Sequence, residues 1–126
     1  MISAALDVSM DLASTDSTLI DFDYLAQQTF SDRMLERDLL ELFVRQCGAL
    51  LPVIAGPNPV DERLFAAHTL KGSARAVGAW GLAMLVERAE ALLQSGDADG
   101  VANLVIELAP IAKAAQAAAA RGRASG

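Results

Sequence analysis

The sequence predicts an all-α fold, an antiparallel up-and-down four-helix bundle with an additional short N-terminal helix. Three observations predict it. Hydrophobic residues make up 53% of the chain but aromatic ones only 5%, a composition that favours closely packed helices over sheets, which draw on β-branched and aromatic side chains. Apolar residues recur at three- and four-residue spacing through four long stretches. The breaks between those stretches are short, so successive helices fold back on one another as antiparallel neighbours. At 126 residues the chain is sized for one domain, and no stripe is strict over enough heptads to demand a coiled-coil dimer. A monomer is expected.

Each element follows from local signals. Residues 1–19, with several Ser, Thr and Asp, read as an N-terminal arm, flexible or loosely docked through two short apolar runs. Asp21 suits the cap of a short helix whose stripe is Phe22, Leu25 and Ala26. Ser31 is the expected cap of a longer helix striped by Leu35, Leu39, Leu42, Phe43, Cys47 and Leu50. Pro52 is expected to kink its end and Gly56-Pro57 to stop it. Asn58 as cap, Pro59 at the first helical position and Asp61 in the first turn start the next helix. It runs to about Val77, with Gly78 as left-handed terminator. A helix from about Ala79 to Leu93 follows, striped by Leu82, Leu85, Val86, Ala89, Leu92 and Leu93, and Ser95-Gly96-Asp97 ends it. The last helix spans roughly 100–120, with Leu104, Leu108, Ile111 and Ala115 inward and Pro110 as a bend. The bundle domain is thus 20–120, and 121–126 reads as a disordered tail.

Charge and cysteine content exclude several functions. The net charge of −6 argues against a generic nucleic-acid binder, which needs a basic face. Residues 1–62 carry eleven acids against three bases, a net −8, and residues 63–126 five against seven, a net +2. The less acidic half, which contains His68, fits an acidic partner. Cys47 is the single cysteine, so an internal disulfide and a cysteine-based metal cluster are excluded, and a small apolar role in a helix is expected. The first residues lack a signal-peptide pattern, and no uninterrupted apolar run approaches the ~18 residues of a membrane span. A cytoplasmic protein with no membrane partner is expected.

The chemistry gathers at His68, the only histidine. On a helical wheel, Ala66, Leu70, Ala74 and Val77 cluster within about 60° of the direction opposite His68. They form the buried stripe, so His68 is aimed at solvent and is not a core histidine. Lys71, one turn on, sets a mobile ammonium where a phosphorylated imidazole would carry negative charge. Gly72 costs roughly 1 kcal/mol of helix propensity and leaves empty space beside the imidazole for an approaching site or a phosphoryl group. Arg75 extends the positive surface by a turn. Leu64 and Phe65 are apolar where a bundle surface should be polar, which marks a docking patch. Imidazole is largely neutral and nucleophilic near pH 7, and its phosphoramidate passes the group readily to a carboxylate. Glu62, Glu87 and Glu90 are too few and too scattered to complete a metal site with His68, and no glycine-rich phosphate loop is present. The expected role is therefore a phosphoryl carrier rather than an enzyme, with another protein as donor.

The stretch His68-Thr69-Leu70-Lys71-Gly72-Ser73-Ala74-Arg75-Ala76-Val77-Gly78-Ala79 resembles the signature of histidine-containing phosphotransfer (HPt) domains of bacterial phosphorelays. Leu82, Leu85 and Glu90 fit the family's next helix, and Leu39, Leu42 and Phe43 the one before; the resemblance covers about 20–118. It implies that His68 is phosphorylated by an aspartate of a receiver domain and passes the group to another receiver. Lys71 would contact the phosphoryl group and Gly72 leave room for it. It further implies no cofactor of the chain's own, the magnesium ion and catalytic pocket belonging to the partner receiver, with response-regulator receivers and a hybrid histidine kinase as partners. The chain has an apolar pair, Leu64 and Phe65, where many members are polar, and a proline-rich linker at 56–60. Free-standing status is expected. Two rivals compete: a chemotaxis-type phosphoacceptor served by an ATP-bound kinase module, and a degenerate member that binds receivers without carrying phosphate.

Overall fold

A computed structural model describes residues 16–125, and they are helical with no strand among them. After a helical turn at 16–19 come α1 (Phe22–Gln28), α2 (Arg33–Ala55), α3 (Val60–Ala76), α4 (Trp80–Ser95) and α5 (Ala98–Ser125). Helices α2–α5 form the four-helix bundle, each packing on its neighbours in the ring α2–α3–α4–α5. The two short N-terminal helical segments lie before it. The all-α architecture is as the sequence predicts.

The core is built mainly of Leu, Val and Ala, as the low aromatic content requires. Ala66, Leu70, Ala74 and Val77 of the α3 region are buried against Leu82, Val86 and Ala89 of α4 and Leu104, Leu108 and Ala115 of α5. Leu85, Leu92 and Ile111 are partly buried beside them. In α2 the covered face differs from the expected stripe: Leu40, Phe43, Cys47 and Ile54 are buried, whereas Leu35 and Leu42 are exposed. Counting about 100° per residue, Leu35 and Leu42 lie more than 100° from the buried direction, outside what α3 and α5 cover. Cys47 is sealed in the core, and burial pushes its thiol up to about 12, so it is inert.

Caps and termini were harder to foresee. Asp21 caps α1 as expected, accepting from the Tyr24 N–H at 2.9 Å. The cap of α2 is Asp32, not Ser31, because Phe30 and Ser31 take positive φ and shift the helix start by one residue. Asp32 accepts from the Met34 and Leu35 N–H groups. α2 continues through Pro52 to Ala55, and Gly56 follows as its cap residue. Asn58 does not cap α3: its side-chain amide donates to the Val53 carbonyl at 3.1 Å, closing α2, and Pro59 takes the cap position.

Where it is described, at 16–19, the expected arm is a helical turn. Residues 1–15 of the expected arm lie outside the described residues. Arg121 donates to the Asp16 carboxylate from Nε at 2.7 Å and from one terminal nitrogen, Nη2, at 2.5 Å, and Ile20 is fully buried. At the other end, residues up to Ser125 continue α5 as helix where a disordered tail was expected. α5 is long and apolar enough to cross a membrane by length and composition alone. Its Val101, Leu104, Leu108, Ala112 and Ala115 are nevertheless buried on the bundle, as in a core helix.

The α3–α4 turn is the most tightly specified connection. Gly78 has φ +73°, which L side chains rarely adopt. A Cβ there would sit 2.5 Å from the Cβ of Asp21. The Asp21 N–H donates to the Gly78 carbonyl at 3.0 Å. The Asp21 carboxylate also accepts from the Trp80 indole at 3.1 Å, and Trp80 meets Tyr24 edge-on at 4.8 Å. This clasp fixes the end of the helix that carries His68.

Candidate functional site

His68 projects from the middle of α3 with 72% of its side chain exposed. The helical spacing decides this: Ala66, Ala67, Leu70 and Ala74 occupy the buried face and leave His68 opposite. Around it Phe65 is exposed, Leu64 is half-buried and Gly72 carries nothing within 4 Å of where a Cβ would be. The space expected beside the imidazole is open. Arg75 points outward one turn beyond and pairs with Glu87 of α4 at 3.4 Å.

The contact that sequence reasoning missed is that of Glu90 with His68 and Lys71. Set aside as too scattered to serve a metal, Glu90 is brought by the packing of α4 on α3 to His68 Nδ1, with Oε2 at 3.6 Å. Its other oxygen lies 2.6 Å from Lys71 Nζ. Lys71 is therefore not the freely mobile ammonium expected from the sequence. It is only 15% exposed, and Glu90 14%. Each charge answers the other's loss of water. The contact is an ion pair rather than a well-aligned hydrogen bond, since Oε1 is buried without a donor in good geometry. One carboxylate thus gathers His68 and Lys71.

The chemistry of this arrangement is asymmetric. A carboxylate beside Nδ1 favours the tautomer protonated there and leaves the lone pair on Nε2, which faces away. At 3.6 Å the contact is electrostatic rather than a hydrogen bond. Among the described residues no cluster of His, Cys, Asp and Glu is arranged to hold a metal ion. Two cavities, of about 540 and 290 Å³, lie elsewhere: one between α1, α2 and the end of α5, the other between α2 and α5. Neither is lined by a residue of α3. His68 sits on an open face outside both cavities, which suits a protein partner better than a small molecule held in a cleft.

The family model described as "Hpt domain" matches residues 38–120, well over half the chain. The chain belongs to the Hpt domain family. The match runs from early α2 to late α5, the whole of the four-helix bundle apart from its ends. Searches of curated proteins and of solved structures returned no match. Hpt domains are phosphoryl carriers that work with receiver and kinase domains in phosphorelays, and a role in histidine phosphotransfer signalling follows for this chain.

Proposed function

We propose that His68 is the phosphoacceptor of a multistep phosphorelay, taking its group from a receiver-domain aspartate and passing it to the aspartate of another receiver. The observation that carries this reading is the exposed imidazole whose Nδ1 faces the same carboxylate that holds Lys71. The Nε2 lone pair attacks the phosphorus of the aspartyl phosphate, an N–P bond forms, and the P–O bond breaks to release the aspartate carboxylate. The return step reverses these bonds on the next receiver. Each receiver supplies its own magnesium ion, and the chain needs no cofactor.

The Glu90 charge favours the proton on Nδ1 by electrostatic attraction. Lys71 has three N–H donors, so it can keep Glu90 and still donate to a phosphoryl oxygen on Nε2. Gly72 leaves clearance for the phosphoryl group and the receiver's pocket, and Leu64, Phe65 and Arg75 contribute to docking. Response-regulator receivers and a hybrid histidine kinase are the partners, met in the cytoplasm by a monomeric, non-catalytic carrier.

The test is a phosphotransfer profile of the wild-type protein and His68→Gln against each phosphorylated receiver of the source organism. Rapid labelling of the wild type by a subset of receivers, and none of His68→Gln at unchanged helicity, is expected. Labelling of both to the same extent would remove His68 from the reaction.

A further inference from the structure

The surface around His68 does not stop at α3. Taking Glu90 as the direction in which α4 faces α3 and turning about 100° per residue, Glu87, Trp80, Ala91 and Met84 fall within roughly 60–120° of it, while the buried Leu82, Val86, Ala89 and Leu93 fall on the other side. The Arg75–Glu87 pair, about half exposed on both partners, joins this face of α4 to the outward face of α3. On the combined surface three large apolar side chains are open to solvent: Phe65 at 73%, Met84 at 61% and Trp80 at 44%.

We infer that the receiver's footprint straddles the α3–α4 seam, with Phe65 anchoring one end, Trp80 and Met84 the other, and His68 off-centre between them. The inference rests on His68 being the phosphoacceptor, because a protein that exchanges a phosphoryl group with it must cover it. Distances decide whether one footprint reaches all three anchors. Phe65 lies one turn, about 4.5 Å, to one side of His68. Met84 and Trp80 precede Glu90, which is level with His68, by six and ten residues, about 9 and 15 Å along α4 in the other direction. The whole strip is about 20 Å long. A standard interface covers roughly 800 Å² on each partner, some 30 Å across, so it spans the strip.

Trp80 has the qualities of an anchor. Its indole N–H is held by Asp21 and its ring packs edge-to-face with Tyr24, so little side-chain freedom remains to be lost on binding. Ordered, half-exposed tryptophans are the side chains that carry binding energy most often. The partner surface that fits is an apolar patch about 20 Å long, its phosphorylatable aspartate about a quarter of the way along, nearest the end that meets Phe65.

Trp80 is the only tryptophan, so its emission reports docking directly. The experiment titrates the full chain with the isolated receiver that labels it fastest, following Trp80 emission and the dissociation constant for wild type, Met84→Asp and Ile106→Asp. Ile106 is 75% exposed on α5 and serves as the control for an equally drastic surface change away from the seam. Expected are a change in Trp80 emission on binding, a dissociation constant raised at least tenfold for Met84→Asp, and no change for Ile106→Asp. Unperturbed emission together with equal affinity for both variants would overturn the inference while leaving labelling of His68 intact. Failure of every receiver to label the wild type would overturn the phosphoacceptor reading itself, and the footprint with it.

Discussion

Gly72 and Gly78 stand six residues apart in the same segment, and they do opposite things. At Gly72 an added Cβ would meet nothing within 4 Å; at Gly78 it would strike Asp21 at 2.5 Å, on a backbone with φ +73°. The middle of α3 is open at Gly72, whereas its end is filled by the chain itself. A glycine in regular helix with open space around it has no folding reason to be there, and it weakens the helix. A glycine in the left-handed region pressed against another backbone has every folding reason. On the clearance role proposed for Gly72, the two sites separate what the partner needs from what the fold needs.

Substitution should break the pair apart. Gly78→Val forces a β-branched residue into the left-handed region and into Asp21, and a loss of about 3 kcal/mol in urea unfolding is expected; a loss near zero would mean the clasp is slack. Gly72→Leu should do the reverse, stabilising α3 by about 0.5–1 kcal/mol while slowing transfer from a phosphorylated receiver at least tenfold. Normal transfer in that variant would remove the clearance role. Lys71→Ala leaves the Glu90 carboxylate without its partner, so a stability loss of about 1–3 kcal/mol is expected together with transfer slowed several-fold, read by quenched-flow labelling. A rate unchanged within error would confine Lys71 to structure.

The weakest expected effect is that of acid on the clasp. The Tyr24 N–H and then the Trp80 indole hold the Asp21 carboxyl below its ordinary 3.8, and the Arg121 guanidinium does the same for Asp16. Groups whose folded pKa is depressed contribute stability above the unfolded value and lose it as pH falls through the folded one. Trp80 emission should therefore hold steady across neutral and mildly acidic pH and shift only below 3.8. A midpoint between about pH 5 and 7 would point to a different titrating group.

Much of the site was legible because it lies within one helix. The positions of Ala66, Leu70, Ala74 and Val77 opposite His68 follow from helical periodicity alone, and so do the exposure of Phe65 and the open side of Gly72. Glu90 was not legible as a partner of His68. It lies on the next helix, and which of Glu87 and Glu90 reaches the imidazole depends on the axial register of α4 against α3, set by side-chain packing. The Lys71 ion pair is hidden for the same reason. Leu35 and Leu42 misled because α2 has more apolar surface than its neighbours cover. The Asp16–Arg121 tie joins opposite ends of the chain, and no local pattern in the Ala-rich sequence before Arg121 announces it.

The most direct measurement is the location of the phosphoryl group. The wild-type protein, labelled by its fastest receiver and kept at alkaline pH where phosphoramidates survive, is digested and sequenced by tandem mass spectrometry. Phosphate on His68, carried on Nε2 by phosphorus-coupled NMR, is the expected result. Phosphate on a carboxylate or hydroxyl side chain, with His68 unmodified, would contradict it.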